Sequence, residues 1–103
     1  MSASETLYTA LLGYIASNGR RLLALARTLG QEEVAIELRA LFRYHDPSLG
    51  FDKLEQAANQ ILSTPEETKA LESKGLRLET RNDTLYVVIS VKQIEKLLNE
   101  LAR

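Results

Sequence analysis

With 103 residues, 45% hydrophobic and 26% charged, the chain has the composition of an ordinary globular protein and enough length for one hydrophobic core. The absence of cysteine excludes disulfides, iron–sulfur clusters and thiol catalysis, and it suits a reducing compartment. A net charge of −1 argues against indiscriminate attraction to phosphate backbones. No apolar run approaches the roughly 20 residues of a membrane span, and Glu5 stands where a secretory leader would be basic, so the expected location is cytoplasmic. We read one domain, 1–103, with a helical core over 1–62 and a helix, a hairpin and a C-terminal helix over 63–103.

Ser2 and Glu5 have capping-box spacing, which predicts a helix from about Ala3 carrying Leu7, Leu11 and Ile15 inward. Asn18-Gly19 reads as its stop, and a second helix follows over Arg20 to Leu29, closed by Gly30. The stretch Gln31–His45, QEEVAIELRALFRYH, then places Val34, Leu38, Leu41, Phe42 and His45 at helical spacing, with Ile36 and Ala40 on roughly the opposite side. Apolar on two sides, it is expected to be the central, sandwiched helix, ending before Asp46-Pro47. Asp52 with Glu55 predicts the cap of a fourth helix, and Thr64-Pro65-Glu66-Glu67 opens a fifth that runs to about Lys74.

At Leu76 the periodicity changes from 3.6 to 2. With Asn82-Asp83 as a two-residue loop, Thr80 faces Leu85, Leu78 faces Val87 and Leu76 faces Ile89, while the other face pairs Arg77 with Val88 and Glu79 with Tyr86. The Tyr86–Val88 strand is expected to leave an open edge for homodimerisation or partner capture. Ser90 with Gln93 predicts the cap of a last helix striped by Ile94, Leu97, Leu98 and Leu101. The fold class is therefore α+β: a predominantly helical, helix-turn-helix-like core with one antiparallel hairpin and a C-terminal helix.

Signals of catalysis are nearly absent. His45 is the single histidine, no spacing resembles a zinc site, and no glycine-rich phosphate loop follows a strand, so neither enzyme activity, nor a cofactor, nor a metal, nor a small-molecule substrate is expected. His45 as a pH-sensitive or catalytic group competes with a plainer role, closing a helix at the end that favours positive charge. Up to Phe51 every basic residue is arginine, and arginine suits bidentate contact with carboxylate or phosphate. Arg20, Arg21, Arg39 and Arg43, with Arg77, Arg81 and Tyr86 of the hairpin, form the candidate surface for nucleic acid or a protein partner.

LALARTLGQEEVAIELRAL resembles a helix-turn-helix, with Ala26 inside the second helix, Gly30 at the turn four residues on and Ile36 six residues later. GYIASNGRR before it and the hairpin Leu76–Ile89 after it resemble the entry and wing of winged helix-turn-helix domains. A second threading takes LEQAANQIL and PEETKALESKG as the helix pair directly before the wing. In the first the reading helix opens Gln-Glu-Glu; in the second it carries Glu66, Glu67 and Glu72 against Lys69 and Lys74, and both are poor partners for DNA. The resemblance implies a protein-interaction module, a small subunit or regulator in a nucleic-acid-handling complex. The alternative is a direct DNA-binding regulator using the arginines.

Overall fold

The computed structural model describes residues 2–102. Four α-helices and a three-stranded antiparallel sheet follow in the order α1 (Ala3–Thr28), β1 (Glu33–Glu37), α2 (Leu54–Ser63), α3 (Pro65–Ser73), β2 (Leu76–Arg81), β3 (Thr84–Ser90) and α4 (Val91–Leu101). Two 3-10 segments, Leu38–Tyr44 and Pro47–Leu49, connect β1 to α2. The α+β class and the C-terminal helix stand as expected from the sequence. Three elements differ.

The first difference is that the two N-terminal helices are one. α1 runs 26 residues straight through Asn18-Gly19. Gly19 is there for proximity: a Cβ built on it would lie 2.9 Å from both Ile15 Cγ2 and Leu98 Cδ2, so α4 packs closer than any side chain would permit. Ser2 caps the helix by accepting from the Glu5 N–H at 3.2 Å. At the far end the Gln31 N–H donates to Ala26 O at 2.9 Å and Gly30 N–H to Arg27 O at 3.1 Å, with Gly30 at φ +67°, a Schellman stop.

The second difference is the larger one. The expected central helix is absent: Gln31–His45 is a turn, strand β1 and a seven-residue 3-10 segment. The run Glu33-Val34-Ala35-Ile36-Glu37-Leu38-Arg39 alternates between polar or small and large apolar residues, with Ala35 the small member on the outer face, and two of its large apolar members are β-branched. As a strand it sends Val34 and Ile36 inward, and both are buried. As a helix it would divide them between opposite faces. The helical spacing of Leu38, Leu41 and Phe42 belongs to the 3-10 segment, where Leu41 is buried and Phe42 is 42% exposed. The N-terminal part of the chain, expected to be all helical, therefore contributes a strand to the sheet.

Third, the hairpin does not stand alone. β3 lies between β1 and β2, so the Tyr86–Val88 strand is the centre of the sheet and offers no open edge. β1 covers it in the register Val34↔Ile89 to Glu37↔Tyr86. The hairpin register itself is as expected, Leu76↔Ile89, Leu78↔Val87 and Thr80↔Leu85, closed by Asn82 and Asp83 at φ 49° and 64°.

The core lies between the sheet's inner face and the helices: Leu7, Leu11 and Ile15 of α1, Leu54 and Ile61 of α2, Leu71 of α3, Ile94 and Leu97 of α4, with Val87 and Ile89 beneath them. Of the α4 stripe, Leu101 is left 44% exposed. Capping details depart from expectation at two helices. The N-cap of α2 is Lys53 rather than Asp52, with Gln56 Oε1 accepting from the Lys53 N–H at 3.2 Å. At α3 the Thr64 side chain makes no capping bond, and Glu67 turns away from its own helix to that of α1.

Candidate interaction surface

On the sheet's outer face, β1 presents Glu33, Ala35 and Glu37, β3 presents Tyr86 and Val88, and β2 presents Arg77, Glu79 and Arg81. Arg77 is held by two strands at once. Its Nη1 and Nη2 donate to Glu33 Oε2 and Oε1 at 2.6 and 3.1 Å, and Nη2 also reaches Glu79 Oε2 at 3.2 Å. The bidentate pair bridges from β2 to β1 across the central strand beside Val88, which is 2% exposed although it faces outward. Arg81 Nε donates to Glu79 Oε1 at 3.2 Å, and its guanidinium lies 5.6 Å from the centre of the Tyr86 ring. The hydrogen bond from Arg77 depresses the Glu33 carboxyl below its ordinary value, and Arg81 does the same to Glu79. Glu33 raises Arg77 in return.

Arg39 pairs with Glu37 at 3.0 Å. Arg39 and Arg43 do not share a face, because in a 3-10 segment of three residues per turn, positions four apart point in different directions. Arg43 sits with its guanidinium 5.9 Å from the Tyr44 ring. Tyr44 packs edge-on against Tyr14 of α1, centroids 6.0 Å apart, and its hydroxyl accepts from Asn18 Nδ2 at 3.3 Å. Hydrogen bonding from Ser17, then from Asn18, with the charge of Arg43, holds the Tyr44 phenol below its ordinary value. Arg21 Nη2 donates to the same Asn18 at Oδ1, 2.8 Å. Thus Arg77, Arg81 and Tyr86 gather on the sheet, Arg21 and Arg43 gather around Tyr44, and Arg20 and Arg39 join neither group. Glu79 neutralises Arg81 and shares Arg77 with Glu33, while Glu37 holds Arg39. Glu33 and Glu37 were missed as partners in the sequence, and the near-alternation over 33–39 was the signal that places them.

Other surfaces are acidic or apolar. α3 exposes Glu66 and Glu72, while Glu67 is spent on α1: its carboxylate accepts from the Ala3 N–H at 2.6 Å and the Ser4 hydroxyl at 3.2 Å. Phe42 borders a cleft of about 320 Å³ rimmed by Glu37, Arg39, Glu55 and Asp83. Leu25 and Leu29, near the end of α1, are 56% and 61% exposed. His45 is tied down, its Nε2 2.7 Å from Phe51 O. Among the described residues, no cluster of His, Asp or Glu could hold a metal ion and no helix is long and apolar enough to cross a membrane.

Comparison of the chain with protein-family models, with curated proteins and with solved structures finds no match.

Proposed function

We propose that this chain is a non-catalytic protein-interaction module on a winged-helix plan, a small subunit or regulator. The element order supports that plan: a helix, a strand, a helix pair and a hairpin, with the first strand paired to the last. It corresponds to the second threading, in which α2 and α3 form the helix pair and β2–β3 the wing. A nucleic-acid-handling complex as the setting follows from this likeness alone.

The observation that carries the reading is the state of the wing arginines. Arg77 and Arg81 are both bound by carboxylates of the same sheet, and Arg39 is bound by Glu37. At Arg77 phosphate would have to compete with a bidentate intramolecular partner, and at Arg81 and Arg39 with a single carboxylate contact. The helix that precedes the wing adds Glu66 and Glu72 where base edges would be met. His45 is held through Nε2 by the Phe51 carbonyl, and its Nδ1 is buried with no hydrogen-bond partner among the described residues.

A direct DNA-binding regulator is the second reading. One observation favours it: among the described residues, Arg20, Arg21 and Arg43 have no carboxylate within ion-pair distance. The two readings part under charge reversal. Arg77→Glu with Arg81→Glu, Arg39→Glu with Arg43→Glu, and Arg20→Glu with Arg21→Glu are compared with the parent for retention of duplex DNA. The module reading predicts no retention by the parent at physiological salt, hence nothing for the variants to lose. Retention that any of these pairs abolishes, with a shallower salt dependence, would favour the regulator.

A further inference from the structure

We infer that the C-terminal half of α1 is a self-association surface, on which a second copy of this chain packs its own α1 antiparallel. The inference rests on the protein-interaction reading and names the partner. The inward stripe of α1 passes through the buried Leu11 to Tyr14 and Asn18, both of which meet the 3-10 segment at Tyr44, and continues on the same side as Leu22, Leu25 and Leu29. Beyond Asn18 the cover ends. Leu22 is half-buried, and among the described residues Leu25 and Leu29 are the two most exposed large apolar side chains. α4 does not cover them, because it packs on the other side, where Gly19 meets Leu98 and Arg27 pairs with Glu95 at 2.6 Å.

The occupant is indicated by the charges at the two ends of this stripe. Arg21 stands at its start with only the neutral Asn18 as partner, and Glu32 stands just past the helix end with its side chain in no ion pair among the described residues. An antiparallel copy centred between Leu25 and Ala26 sets Leu22 against the partner's Leu29 and brings each Arg21 to the other's helix C-terminus. There it meets both Glu32 and the negative end of the helix dipole. The arrangement repeats itself under two-fold rotation, as an isologous contact requires. A parallel copy would instead set Arg21 beside Arg21. Because a contact of about three turns is small, association should be reversible and concentration-dependent rather than permanent.

Sedimentation velocity of the full chain over about 10–500 µM tests this, with circular dichroism to show that each variant is folded. The expected result is a monomer–dimer equilibrium that Leu25→Glu abolishes; since Leu25 is exposed, that variant should fold. Arg21→Glu alone should weaken the dimer at least several-fold, and Arg21→Glu combined with Glu32→Arg should restore it. A parent that stays monomeric throughout, a dimer indifferent to Leu25→Glu, or a charge swap that fails to restore association would each overturn the proposal. The interaction reading itself stands or falls separately, on duplex DNA retention.

Discussion

The carboxylate of Glu67 accepts from the backbone N–H of Ala3 at 2.6 Å, joining two residues 64 positions apart in sequence. A glutamate that looks like the capping residue of its own helix instead closes the first turn of the longest helix in the molecule. That places negative charge at the positive end of the α1 dipole and satisfies an N–H that the helix cannot. Glu67→Ala should therefore cost about 1 kcal/mol of unfolding free energy, the usual range for a lost cap. Glu66→Ala, one position away on the exposed side, should cost less than half of that. Equal midpoints in urea for the two variants would remove Glu67 from this role.

Leu41 and Phe42 are adjacent and apolar, and the structure treats them oppositely, with Leu41 fully buried and Phe42 42% exposed. Leu41→Ala should cost about 2–5 kcal/mol, as truncations in a packed core do. Phe42→Ala should cost clearly less despite removing more atoms. Leu38→Ala, at 5% exposure, belongs with Leu41. A larger loss at Phe42 than at Leu41 would contradict the 3-10 assignment of this segment.

Gly19→Ala offers a contrast with helix propensity. In the middle of an exposed helix the change would be worth up to about 1 kcal/mol in stability. Here the added Cβ meets Ile15 and Leu98 at 2.9 Å, and the neighbours must move. Thermal denaturation should show no gain, or a loss. A rise in midpoint matching the propensity gain would mean that α4 can retreat without cost.

Acid should loosen the outer face of the sheet. Glu33 and Glu79 are depressed below their ordinary values in the folded chain by Arg77 and Arg81. Groups lowered on folding contribute stability that is complete above the unfolded value, about 4.3 for glutamate, and disappears as pH falls through the lower folded value. The pairs are exposed, so the effect is small and screened by salt. Stability measured from pH 6 down to pH 3 should fall less steeply in Arg77→Gln than in the parent. Identical slopes would mean that the bidentate pair does not persist in solution.

Where local chemistry and tertiary packing agree, the fold is legible in the sequence. The hairpin register followed from pairing apolar residues across Asn82-Asp83, and the Ser90 cap of α4 is realised as the hydroxyl accepting from the Gln93 N–H at 3.0 Å. It was misread where a local signal was outweighed from a distance. Asn18-Gly19 reads as a stop, yet the glycine is required by α4, which lies some eighty residues away in the chain. Gln31–His45 holds two superposed periodicities, and the strand prevails over 33–37 because β3 has an edge that β1 can pair. Part of the candidate site depended on that error. Taking the strand for a helix hid Glu33 as the partner of Arg77 and Glu37 as that of Arg39. Glu79, between Arg77 and Arg81 on their own strand, was legible as a neutralising charge.

The central claim is that this surface is built for protein rather than for phosphate, and a salt series with duplex DNA measures it most directly. Fluorescence anisotropy of a labelled duplex is followed against the parent chain from about 20 to 200 mM salt. The account predicts weak binding or none at low salt and no retained complex at physiological ionic strength. A complex that persists at physiological salt, with affinity falling steeply and linearly on a log–log plot, would contradict it.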